Sequence, residues 1–192
     1  FANGAVSAAF FSLVSSAAQR AVKRTVVTAG AGAEGVSPQR KALQKKLDAL
    51  VKGGTLSSER SFENPDAAAR EVLGITAPLS KKYGLEVGGN IIPDANGGYS
   101  YTLPIIGGPG SVALDPSYIA YHTHSAGGFR FSNQFSNYFG NVVTSDMAWI
   151  ASSGKSLYLG VQIDQTVRIG VCRPGICYDV GRYGTDPGRI LQ

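Results

Sequence analysis

The sequence predicts an α+β fold, with helices in its first half and a sheet in its second. Three observations carry that prediction. Capped stretches with apolar residues three and four apart run to about residue 74. From Leu85 the pattern changes to short strand-like runs separated by turn chemistry. The 25 glycines among 192 residues suit a turn-rich sheet better than a helical bundle, and the length suits one domain with a real core.

The first stretch, Phe1 to about Val36, is rich in Ala, Gly, Ser and Val and reads as a linker. Within it, Ala5 to Ala18 is apolar and uncharged, yet too short to span a bilayer and without the basic leader of a signal peptide. No membrane association is expected. With Phe1 at the start and Met147 the only methionine, the residues are expected to belong to a longer chain. Ser37-Pro38 then opens a helix as an N-cap followed by proline in the first turn, and Gly53-Gly54 closes it. Asn64-Pro65 opens a second helix through Ala67, Ala68, Ala69, Val72 and Leu73, expected to stop at Gly74.

Strands are predicted at Leu85 to Ile92, Gly98 to Leu103, Tyr118 to His124, Ser156 to Val161 and Thr166 to Cys172. A Gly/Asn/Phe-rich loop from Ser125 to about Val143 separates the third strand from a short helix over Ser145 to Ser152. A loop of that length inside a compact domain usually has a function or is mobile.

The formal net charge is +5, which raises the question of a nucleic-acid partner. The distribution argues against one. Arg40, Lys41, Lys45 and Lys46 sit on the first helix, opposite Leu43, Leu47 and Leu50, as a solvated face would. Aromatic residues do not interleave with these bases to form a stacking platform. Cys172 and Cys177 are the only cysteines. A hairpin-tip disulfide is geometrically feasible, while a metal site would need a second pair.

The chain has only two histidines, and they stand two apart in Tyr121-His122-Thr123-His124. Random placement would give that spacing roughly one time in a hundred. On a strand, positions i and i+2 point to the same face, so both imidazoles can reach one cation. Two imidazoles and a carboxylate leave a tetrahedral zinc one open position, as catalytic sites do. The competing reading is a pair of half-buried histidines satisfied by backbone groups. The acids weigh against it: Glu86 lies in the first strand and Asp146 opens the short helix. Each has an ordinary alternative, Glu86 as an exposed acid and Asp146 as a residue favoured by the helix dipole.

The order Glu-x-Gly-Gly, then His-x-His, then a helix-opening Asp resembles the JAB/JAMM metalloenzymes. The surrounding text is similar to an uncharacterised JAB-like domain at the C-termini of Rhs-repeat and related polymorphic toxins. The likeness lies in Phe62 to Leu73, Glu86-Val87-Gly88-Gly89-Asn90-Ile91, Gly98 to Pro104 and Ala120 to His124, within roughly Ser61 to Gly170. The opening Phe1-Ala2-Asn3-Gly4-Ala5 resembles the segment that follows an Rhs core. The resemblance implies a pre-toxin linker over 1–36 and a toxin domain over 37–192, with a mixed sheet, flanking helices and a cytidine-deaminase-like architecture. It further implies that His122, His124 and Asp146 bind zinc and that Glu86 is the general base of amide hydrolysis, either peptide cleavage or deamidation. Secretion, delivery into a target cell, a protein substrate there, enclosure by the Rhs cage and an immunity partner are expected with it. The loop from Ser125 to Val143 would then lie over the metal as a flap.

Two departures from the pattern stand out. The family's serine three residues before the aspartate, which stabilises the oxyanion, is Val143 here, so that help must come from Thr144, Ser145 or a backbone NH. Asp146 also lies 22 positions beyond His124, a longer gap than usual. Asp115 and Asp164 are the alternative third ligands, although both read as turn residues. The rival functions are a toxin nuclease, and a JAB-like scaffold that has lost catalysis and only binds a partner.

Overall fold

In the computed structural model, which describes residues 37–125, 146–163, 165–174 and 189–191, the first helix is α1 (Pro38–Lys52). The Ser37 hydroxyl accepts from the Arg40 amide at 3.2 Å, and Leu43 and Leu47 are the positions it buries. Lys41, Lys45 and Lys46 are exposed, as expected of a solvated face. Arg40 is not: it is half-buried and turned toward the sheet.

Helix α2 (Pro65–Tyr83) is capped by the Asn64 side chain, which accepts from the Ala67 amide at 2.9 Å. It does not stop at Gly74 as its sequence predicts. Val72, Leu73, Thr76, Ala77 and Ser80 keep the helical spacing beyond that glycine, and all are buried. Continued burial outweighs the roughly 1 kcal/mol that an interior glycine costs. Pro78 is accommodated too, at the loss of the bond its missing N–H would have made to the Gly74 carbonyl. The stop is Gly84, left-handed at φ 67°, whose amide donates to the Ser80 carbonyl at 2.9 Å.

The strands that follow are β1 (Val87–Pro93), β2 (Tyr99–Tyr101), β3 (Ile105–Ile106), β4 (Ile119–Thr123), β5 (Leu157–Ile163), β6 (Thr166–Cys172) and β7 (Arg189–Leu191). Helix α3 (Asp146–Ser153) lies between β4 and β5. β3 and β7 were not legible in the sequence; the other boundaries agree within two residues or so. The sheet order is β2-β1-β4-β5-β6-β7, with β3 also paired to β1. β4 and β5 run parallel and the other pairs antiparallel, so the sheet is mixed, as expected.

The two faces of this sheet have different cover. Val87, Ile91, Tyr121, Tyr158 and Val171 join the cluster built with α1 and α2, and α2 lies across β1, β2, β4, β5 and β6. The alternate positions Ala120, Leu157 and Cys172 face the other way and pack with Ile150, Met147 and Trp149 of α3. Covered on both sides, the central strands are buried almost throughout.

The linker over 1–36, the proposed flap beyond Ser125, Val143, Thr144, Ser145, Asp164 and Cys177 lie outside the described residues. Cys172 is disulfide-bonded.

Candidate metal centre

β4 delivers two imidazoles to one face because His122 and His124 are two residues apart. It is the α3 face, since Ala120 precedes them in the same alternation. His122 sits between two strands, paired with Gly88 of β1 and Leu159 of β5. The His124 amide continues the ladder beyond β4 by donating to the Gly160 carbonyl at 3.3 Å.

Asp146 reaches the same point from the first residue of α3. The apolar side chains that follow it hold the helix down: Ile150 is buried against Ala120 and Leu157, with Met147 and Trp149 beside it. A carboxylate in the first turn also suits the positive end of the helix.

The three side chains converge closely. The two Nε2 atoms lie 3.1 Å apart, His122 Nε2 is 3.2 Å from Asp146 Oδ1, and His124 Nε2 is 3.3 Å from Asp146 Oδ2. One ligand atom from each residue falls within 4.8 Å of the others. Zinc bonds of about 2.0–2.1 Å place neighbouring ligand atoms of a tetrahedron about 3.3–3.4 Å apart, so the spacing fits a shared zinc ion.

The electrostatics also fit a cation. Burial works against a charged Asp146, yet the charges and hydrogen bonds of His122 and His124 outweigh it and hold the carboxyl well below the usual range. Burial likewise works against a charged His122, but the carboxylates of Asp146 and Glu86 and the Tyr158 backbone outweigh it and raise its pKa. Two Nε2 lone pairs and a carboxylate facing one another at these distances need a proton or a metal ion among them. His122 Nδ1 is buried and makes no hydrogen bond of ordinary geometry. A proton on that nitrogen, next to the Tyr158 carbonyl, leaves Nε2 free as a ligand atom.

Glu86 lies near the three side chains. It stands just before β1, two residues from Gly88 and so on the His122 side of the sheet. Only 6% of it is exposed. Burial raises its pKa, the two histidines pull it down, and Asp146 pushes it up, leaving it above the ordinary value. Its charge is felt by the triad, yet it does not belong to the set of convergent ligand atoms.

The segment after β3 covers this face. Gly88 has to be glycine, because a Cβ there would meet the Tyr121 carbonyl at 2.9 Å and the Val112 and Leu114 side chains at 2.9 and 3.0 Å. Ser125, next to His124, donates to the Pro109 carbonyl at 2.6 Å. His122 is almost fully enclosed, with 3% of its side chain exposed, against 12% for His124 and 14% for Asp146. His124 and Asp146 are thus the more exposed members of the three.

Asp115 does not reach the centre. It is exposed and accepts from the Ser117 amide at 2.9 Å, the turn role its sequence suggests. Comparison of the chain with protein-family models, curated proteins and solved structures found no match.

Proposed function

We propose that the chain is a zinc-dependent amide hydrolase of the JAB/JAMM type, acting as the C-terminal toxin domain of an Rhs-type protein on a protein of the target cell. The observation that carries the reading is the convergence of His122, His124 and Asp146 to 3.1–3.3 Å with Glu86 buried beside them. The likeness to the JAB/JAMM motif and the order of the elements that hold it add support, with the Glu just before β1, the histidines at the end of β4 and the Asp at the start of α3.

Zinc held by His122 Nε2, His124 Nε2 and Asp146 would supply a Lewis acid toward the scissile carbonyl and lower the pKa of water at the site. The protein's own contribution is positional. The end of β4 fixes the two imidazoles, and the enclosed His122 Nδ1 leaves Nε2 as the nitrogen facing His124 and Asp146. Glu86 takes the proton of the attacking water on its carboxylate and returns it to the leaving nitrogen, for which a raised pKa is suited. The segment Gly107 to Leu114 and helix α3 exclude solvent from the inner side.

The test is expression of the wild type and of Glu86→Gln in bacteria, followed by a proteome-wide search for new protein termini and deamidated side chains. Growth arrest with discrete amide products, both lost in Glu86→Gln although zinc is retained, is expected. Equal toxicity of the two proteins would refute the hydrolase.

A further inference from the structure

Arg40 is a basic residue that the solvated face of α1 does not absorb. Its guanidinium spans two successive backbone carbonyls, with Nη1 donating to Ile106 at 2.9 Å and Nη2 to Gly107 at 2.7 Å. The same segment holds Glu86 from the other side. The Glu86 amide donates to the Gly108 carbonyl at 2.8 Å, and the Gly107 amide donates to the Glu86 carbonyl at 2.8 Å. Beyond this point β3 pairs Ile106 with Val87 and Ile105 with Gly88.

Glu86 therefore stands at the end of a short relay that starts on the first helix. β3 has only two residues, flanked by Pro104 and by Gly107-Gly108-Pro109-Gly110, and a ladder so short does not fix its own position. Two external grips hold it: Arg40 on the Ile106 and Gly107 carbonyls, and Ser125 on the Pro109 carbonyl. Arg40 provides the charge-assisted pair, and a planar fork bridges two acceptors as an ammonium cannot.

We infer that Arg40 is a positioning residue for Glu86, which makes helix α1 part of the catalytic unit. The inference rests on the reading of Glu86 as general base, and it gives α1 a role that its exposed lysines do not suggest. Arg40 touches none of His122, His124 or Asp146, so its loss should leave metal binding intact and disturb the base alone.

The experiment uses the full chain as wild type, Arg40→Ala, Arg40→Lys, Glu86→Gln and the Arg40→Ala/Glu86→Gln double variant. Amide hydrogen exchange is read first, without metal. Exchange at Glu86 and Gly107 should be accelerated about tenfold in Arg40→Ala, with Tyr121 unchanged and Arg40→Lys in between. Cobalt(II) then serves as a spectroscopic probe. Arg40→Ala should bind it with wild-type affinity, shift the pH midpoint of its visible spectrum in the direction that Glu86→Gln does, and add nothing in the double variant. Unchanged exchange at Glu86, or an additive shift in the double variant, would overturn the inference. Failure of the wild type to bind cobalt would instead refute the metal reading, and the exchange comparison would still decide whether Arg40 holds Glu86.

Discussion

The hydroxyl of Thr123 accepts from the Val87 amide at 2.9 Å and donates to the Val87 carbonyl at 3.2 Å. The residue between the two histidines thus ties the neighbour of Glu86 to their strand. Its side chain points to the opposite face from the imidazoles and takes over the ladder where backbone pairing of β1 and β4 ends at Gly88 and His122. Thr123→Val keeps the shape and leaves both Val87 groups buried without partners. It should cost about 1–3 kcal/mol in urea denaturation, while Thr123→Ser, which keeps the hydroxyl, costs less.

On the reading of a metal centre, Asp146→Asn removes the only carboxylate among the three convergent side chains while leaving α3 in place. Loss of a partner one step removed from a metal usually weakens binding 10–100-fold, so loss of this direct ligand should cost at least about a hundredfold in zinc affinity. Protons compete for the same atoms. Because the pKa of His122 is raised, affinity should begin to fall as pH is lowered from above 6.5, with proton release on binding, both measurable by titration calorimetry in buffers of different ionisation enthalpy.

The Tyr101 phenol is buried, donates to Glu71 at 2.9 Å and accepts from the Ser57 amide at 3.2 Å. Burial comes first among the causes that push its pKa from an ordinary 10 up to about 12. The folded value lies above the unfolded one, so the neutral phenol's contribution is complete below pH 10 and is lost as pH rises toward 12. Stability should fall over that window, and Tyr101→Phe should flatten the fall. An equal alkaline loss in the variant would assign it to other groups.

Gly74 lies in mid-helix on the exposed side of α2, and nothing approaches the position of its absent Cβ within 4 Å. Gly74→Ala should therefore raise stability by about 0.5–1 kcal/mol in thermal or urea unfolding. Leu73→Ala, one residue earlier and fully buried, should lower it by about 2–5 kcal/mol. Had the helix ended at Gly74, the alanine would destabilise.

How much of this could be read in advance depended on the range of the determining interaction. The i, i+2 spacing of the histidines is local, and strand geometry alone aims both rings one way. Asp146, 22 positions beyond His124, is named by the family resemblance and not by spacing; what brings it to the histidines is tertiary, with Ile150 of α3 packed against Ala120 and Leu157. The length of α2 was misjudged because Gly74 is a strong local stop signal, outweighed only by burial of Thr76, Ala77 and Ser80. β3 escaped because two isoleucines beside Gly and Pro have no period to read. Arg40 looked like any other base on α1, and only the carbonyls of Ile106 and Gly107 distinguish it.

The measurement closest to the central claim is the metal content of the purified full chain by inductively coupled plasma mass spectrometry, beside His122→Ala and His124→Ala. About one zinc per wild-type chain, removed by chelator and nearly absent from both variants, is the predicted result. A folded wild type that holds no zinc when supplied with it, or variants that hold as much as the wild type, would contradict a metal centre at His122, His124 and Asp146.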